Sequence, residues 1–192
     1  GLTVQYVVNG FGFLFVAGFT AANKLYGVLE MASLSYGYAI TTYVGQNLGA
    51  KKYRRIRNGV RSGVYMALIT SIVISGVMVI TGRNILSLFV SGEAGQVKQV
   101  LDIAYKYLFI MAIFLWVLYL LYVYRSAIQG LGNTLIPLAS GVVEFCMRVG
   151  VALLLPKLIG EDGIFYAEIS AWSGAAILLI VSYVVIIRKY KE

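Results

Sequence analysis

The chain has 192 residues, 60% hydrophobic and 12% charged, and 16 Lys+Arg against 8 Asp+Glu give a formal net charge of +8. A soluble domain carries about 25% charged residues, so much of this surface must face lipid instead of water. With no histidine and one cysteine, Cys146, the chain has no internal disulfide, no Cys-rich metal site and none of the usual imidazole chemistry.

Six apolar segments follow in order: Gly1 to Ala22, Leu25 to Gln46, Val60 to Thr81, Tyr107 to Tyr124, Leu135 to Leu155 and Ile164 to Ile187. About 20 apolar residues span a bilayer as a helix. The runs lack an alternating polar face, which disfavours barrel strands, and backbone groups in lipid must bond within their own segment. The fold class is therefore all-α integral membrane. The chain opens inside an apolar run, without an initiator Met or the basic start of a signal peptide, and reads as a fragment. The connection Gly82 to Lys106 carries turn signals and an amphipathic approach, Val97, Val100, Leu101 and Ala104, expected to lie partly at the membrane interface. Pro137 marks the start of the fifth helix and Pro156 its stop.

Basic residues sort by side. Lys51, Lys52, Arg54, Arg55, Arg57 and Arg61 follow the second segment, Arg125 the fourth, and Arg188, Lys189 and Lys191 the sixth. If the segments alternate, all of these fall on one side, which the positive-inside rule makes cytoplasmic. The expected location is the plasma (inner) membrane, multi-pass, with the C-terminus inside. The same asymmetry argues against nucleic acid as a partner.

Charges within the spans carry the most information, since each costs about 2.5–3.5 kcal/mol at a helix centre and needs a partner or a cavity. Glu144 and Arg148 stand four apart in the fifth helix with the acid first, the favoured order for a pair along one helix. The expectation is a salt bridge between them, with a direct role in transport as the rival reading. Glu30 has no local basic partner except Lys24. It is either bonded to a neighbouring helix or free to load and release a proton. Glu168, a turn or so from the outer end, reads as structural.

Gln5 and Asn9 share a face of the first segment and can line a pathway or bridge helices. Aromatic residues of the fourth segment suit either an interfacial belt or an aromatic cation, with Trp116 and Tyr119 the candidates for ligand contact. Gln46, Asn47 and Gly49 after the second segment are echoed by Gln129 and Gly132 after the fourth, as Gln-x-Leu-Gly. Pairs of small residues, Ser33/Gly37, Gly59/Gly63, Ser71/Ser75 and Ala171/Ala175, allow close helix packing.

Two stretches, TAANKLYGVLEMASLSYGYAITTYVGQNLGAKKYRRI (Thr20 to Ile56) and YRSAIQGLGNTLIPLASGVVEFCMRV (Tyr124 to Val149), resemble signatures of the multidrug and toxic compound extrusion (MATE) family, and GIFYAEISAW (Gly163 to Trp172) is similar to its last helix. The resemblance covers essentially the whole chain. It implies a MATE/MOP-like six-helix transporter lobe spanning 1–192, helices seven to twelve of roughly twelve. The first of these is truncated and ends near Val8-Asn9-Gly10, and the next begins near Ala21 or a little earlier.

It further implies an antiporter exporting cationic or amphipathic compounds in exchange for Na⁺ or H⁺, with no cofactor beyond that coupling ion and with no enzymatic activity. The implied partners are the missing N-terminal lobe, the lipid bilayer and a small cationic substrate. Some members hold a cation on carboxylates of helices seven and ten. Here Tyr107 to Tyr124 and the remnant of helix seven contain none, which moves the expected coupling carboxylate to the missing lobe, with Glu30 and Glu144 second. A lipid-linked oligosaccharide flippase of the same superfamily would need a more cationic cavity, and a non-transporting membrane scaffold would be indifferent to charge removal at Glu30 or Glu144.

Overall fold

The computed structural model describes residues 2–92 and 94–190. Seven helices are found there: α1 (Leu2–Asn9), α2 (Phe13–Gly49), α3 (Tyr53–Ser87), α4 (Ala94–Gly130), α5 (Leu135–Leu154), the single turn α6 (Pro156–Ile159) and α7 (Asp162–Ile187), with no strand among the described residues. The segments over α3, over α4, over α5 with α6, and over α7 are long and apolar enough to cross a membrane.

The expected break between Ala22 and Leu25 does not occur. The chain turns at Gly10 to Gly12 and α2 then runs unbroken from Phe13, so the break falls where the family resemblance ends its first helix, while the next helix starts earlier than Ala21. The polar pair that suggested a boundary is accommodated within the helix. Asn23 accepts a hydrogen bond from the Tyr107 hydroxyl at 3.4 Å, and Lys24 points outward.

The stretch read as an interfacial approach also differs. It forms the first turns of α4, where Val100, Leu101 and Ala104 are buried in the bundle, because Gly18 of α2 brings that helix against Val100 and Ile103.

At the centre stands α4, packed on α2, α3 and α7, while α5 leans mainly on α7 and α1 touches α2 and α5. Small residues set the closeness. A Cβ on Gly37 would lie 2.8 Å from Ser126 Oγ, and one on Gly63 would lie 2.5 Å from the Ile40 side chain. Ser75 donates to the Ala112 carbonyl at 2.6 Å, and Ala171 and Ala175 are fully buried. The small-residue pairs are thus contact points between helices, as expected of lipid-embedded packing.

The ends of α2 and α4 share one device. Lys52 N–H donates to the Asn47 carbonyl at 2.8 Å with Lys51 at φ 55°, and Asn133 N–H donates to the Ile128 carbonyl at 3.2 Å with Gly132 at φ 82°. Both are left-handed C-caps of the Schellman type. The Gln-x-Leu-Gly echo is nevertheless out of register, since Gly132 takes the left-handed position and its counterpart there is Lys51, two residues beyond Gly49. Asn47 is buried and bonds the Tyr43 carbonyl, and Gln46 contributes its own carbonyl to the Ala50 N–H. Asn133 then opens α5 by accepting from the Ile136 N–H at 3.1 Å.

At the opposite end, Arg83–Asp102 and Lys106–Asp162, each 2.6 Å, tie α3 to α4 and α4 to α7. Both pairs are about half exposed, so they fix register more than they stabilise.

Gly130 supplies a test of this packing. A Cβ there would meet Val44 Cβ at 2.7 Å and the Thr41 carbonyl at 2.9 Å, whereas Gly27 has open space. Gly130→Val is expected to lower stability in detergent by about 1–3 kcal/mol through overpacking. Gly27→Ala should be neutral or slightly stabilising, because alanine is the better helix former; comparable melting curves for the two variants would contradict the α2–α4 contact.

Candidate functional site

The charges inside the bundle form a connected series across α2, α4, α5 and α7. Glu30 on α2 accepts from the Tyr122 hydroxyl of α4 at 2.7 Å. One turn further along α4, Arg125 pairs with Glu144 of α5 and donates to Ser140 Oγ at 3.0 Å. One turn along α5, Arg148 pairs with Glu168 of α7 at 2.8 Å. The four ion-paired side chains are 16–25% exposed, so they are partly buried between the helices.

This arrangement corrects two expectations. Glu144 and Arg148 do not pair with each other; each reaches across to a facing helix. The i, i+4 spacing that permits the internal bridge also presents both groups on the face turned toward α4 and α7, where Arg125 and Glu168 stand opposite. A bridge between helices satisfies four charges, whereas the internal one would leave Arg125 and Glu168 bare. Arg125 is therefore no member of the terminal basic set, since α4 continues past it to Gly130. Glu168 holds Arg148, in keeping with its structural reading. Glu30 takes the neighbouring-helix alternative, and among the described residues it has no cationic partner within 4 Å.

Aromatic rings border the series. Tyr26, one turn before Glu30, stacks on Trp172, one turn after Glu168, with centroids 5.6 Å apart. Beyond them Phe19, Tyr107, Phe165 and Phe15 stack in sequence at 4.9, 5.0 and 5.6 Å, joining α2, α4 and α7. A cleft of about 200 Å³ between α2 and α4 is lined by Thr41, Tyr122, Arg125 and Gln129. Gln129 is thus the one residue of the two helix-end motifs that approaches the charged series.

The remaining candidates lie elsewhere. Gln5 donates to Asn9 at 3.0 Å on the exposed side of α1, so they share a face as expected but bridge no other helix. Asn9 borders a separate cleft formed with α5 and α6. Tyr119 is fully buried toward Tyr36 and α3, its hydroxyl without a partner. Trp116 lies on the exposed stripe of α4 that includes Asp102, Lys106, Phe109 and Ile113. Because Asp102 reaches α3 and Lys106 reaches α7, this stripe opens between those helices, on the side away from α2. Neither aromatic therefore faces the charged series.

Sequence reasoning left Tyr122 to the aromatic belt in favour of Trp116 and Tyr119, and overlooked Arg125 as a site residue. Only a helix continued past Tyr124 to Gly130 would have placed Arg125 opposite Glu144.

An all-helical multi-pass bundle with ion pairs between its helices is the class of protein to which membrane transporters belong. The chain belongs to the MatE family, whose model matches residues 1–154. It is 25% identical over 162 residues to the probable multidrug resistance protein YoeA of Bacillus subtilis (strain 168), a match covering 84% of this chain and 30% of that protein. Its fold is similar to that of a MOP superfamily transporter from Pyrococcus furiosus Vc1 (DSM3638), for which reverse polarity of the binding pocket is said to suggest a different function (TM-score 0.90, 18% identity, 100% of this chain and 43% of that one). It is similar also to a MATE structure in the bent conformation (TM-score 0.87, 16% identity, 98% and 41%). The chain thus spans less than half the length of the relatives it matches.

The Arg148–Glu168 bridge can be weighed by a double-mutant cycle in the full-length parent. Removing one partner of a buried pair costs about 3–5 kcal/mol, while replacing both with apolar groups is often neutral. Arg148→Met and Glu168→Met are each expected to lower stability, less than that range because the pair is partly exposed, and the double variant should recover most of the loss. Additive losses would mean that the two side chains do not interact.

Proposed function

We propose that the full-length parent is an ion-coupled antiporter, driven by Na⁺ or H⁺, that exports cationic or amphipathic compounds, and that this chain is its C-terminal six-helix lobe with the basic end in the cytoplasm of the plasma (inner) membrane. The observation that carries the reading is the charge balance of the interior series between the helices. Three carboxylates, Glu30, Glu144 and Glu168, face two guanidiniums, Arg125 and Arg148. With all five ionised the sum is −1, and the unneutralised member is Glu30.

A carboxylate held only by a tyrosine hydroxyl, with aromatic rings a turn away, suits a cation that exchanges for another cation or for a proton. An N-terminal lobe from the same polypeptide would close over these residues. The printed name of the Bacillus relative, a probable multidrug resistance protein, agrees with this substrate class. A flippase for lipid-linked oligosaccharides draws less support. It would need cationic excess to hold pyrophosphate, and both interior arginines are already matched by carboxylates. A scaffold role leaves the energetic cost of five interior ionisable groups without a purpose.

Uptake of a fluorescent cationic dye into proteoliposomes carrying the full-length parent tests the proposal, with Na⁺ and H⁺ gradients imposed separately. One of the two should drive dye movement. Glu30→Gln is expected to slow it at least about tenfold, corresponding to about 1.4 kcal/mol or more in the barrier, while Trp116→Ala on the opposite side stays within about twofold. Folded protein that moves no dye under either gradient contradicts the antiporter reading.

A further inference from the structure

One end of the bundle carries charge that the bundle does not neutralise. Lys51, Lys52, Arg54, Arg55, Arg57, Arg61, Arg188 and Lys189 are all exposed there. No acidic side chain among the described residues bonds any of them; the four ion pairs of the structure lie in the interior series or at the opposite end. Arg57 alone has polar partners, the Ile187 and Tyr190 carbonyls that close α7, a favourable place for a cation at a helix C-terminus. A cleft beside it is lined by Arg57, Arg188 and Lys189.

The arrangement along α3 says what such a surface fits. At 100° per residue, Arg54, Arg57, Arg61, Tyr65, Ile69 and Ile72 fall along one face of the helix. Tyr65, Ile69 and Ile72 are 61%, 64% and 67% exposed, although Ile56, Val60, Gly63 and Ala67 on the other face are buried. The exposed stripe therefore begins with three cations spread over about 10 Å of helix rise and continues, with no gap, as bare apolar side chains. Tyr53 and Tyr190 pack together at the same end with centroids 5.3 Å apart, as interfacial aromatics do. A soluble polyanion would match the cations and leave the apolar continuation unexplained. An amphiphile with an anionic head matches both parts.

We infer that the Arg54–Arg57–Arg61 face of α3, with Arg188 and Lys189 beside it, is a binding surface for an anionic phospholipid, whose phosphate contacts the guanidiniums and whose acyl chain lies along Tyr65, Ile69 and Ile72. Guanidinium groups bind phosphate oxygens through paired N–H donors, and clustered cations next to a membrane helix draw acidic lipids to that leaflet. The surface does not depend on what the parent transports. It gives the Arg57-capped end of α7 a lipid-sensitive contact with α3.

The test uses the full-length parent in detergent and measures melting temperature on addition of phosphatidylglycerol, phosphatidylcholine or inorganic phosphate. Phosphatidylglycerol should raise the melting temperature by several degrees more than phosphatidylcholine, with the difference shrinking as salt rises. Arg54→Gln/Arg61→Gln, which leaves the Arg57 cap in place, should lose at least half of that difference. Lys98→Gln, on an exposed turn at the other end, should keep it. Equal effects of the two lipids, or an undiminished phosphatidylglycerol effect in the double variant, would overturn the inference. A shift fully reproduced by inorganic phosphate would overturn it too, in favour of a soluble anion.

Discussion

The constraint on which this molecule depends is charge balance inside a helical bundle that has little water to spare. Two guanidiniums and three carboxylates project from four helices, and each group needs a partner or an opening to solvent. The pairs Arg125–Glu144 and Arg148–Glu168 answer that need across helices. Their placement matters most for α5. Leu135, Leu138, Val142, Phe145 and Leu154 along that helix stay largely exposed, so apolar burial alone holds it weakly. The ion pairs specify its register against α4 on one side and α7 on the other. α2, α3 and α4 lock together through Gly18, Gly37, Gly63 and Gly130, where side chains would collide, and α5 meets α7 in the same way at Gly174, whose Cβ would fall on Met147. The bundle is thus close-packed through small residues and tied by interior ion pairs.

Residues that a moving transporter must expose and re-cover are better held by exchangeable polar contacts than by interdigitated side chains, because ion pairs can trade partners while packed cores are bistable at best. Glu30 stands on the tightly packed α2, its carboxylate bonded only through the Tyr122 hydroxyl. One turn before it on the same helix, Tyr26 stacks on Trp172 of α7.

Much of the architecture was legible in the sequence. The apolar centres of the last four spans follow from hydropathy, and the small-residue pairs fall at helix contacts. Glu30 and Glu144 emerge in the interior charged series. What the sequence hid was three-dimensional choice. Spacing along one helix made Glu144–Arg148 the obvious bridge, since i, i+4 geometry is visible in one dimension and Arg125–Glu144 or Arg148–Glu168 is not. Arg125 looked terminal because hydropathy stops at Tyr124 although the helix does not. Trp116 and Tyr119 stand one turn apart on α4, yet Trp116 is exposed and Tyr119 is fully buried. Asn23 and Lys24 imitated a loop because an interhelical hydrogen bond from Tyr107 cannot be read from their own neighbourhood.

The partner choice of Glu144 tests this account most directly, and charge exchange in the full-length parent measures it. Glu144→Arg should abolish recovery of folded protein from membranes. Adding Arg125→Glu should restore much of it, because the interhelical pair is rebuilt with its polarity reversed. Restoration by Arg148→Glu instead, with Arg125→Glu ineffective, would show that Glu144 bonds along its own helix and would contradict the charge arrangement described for the interior series.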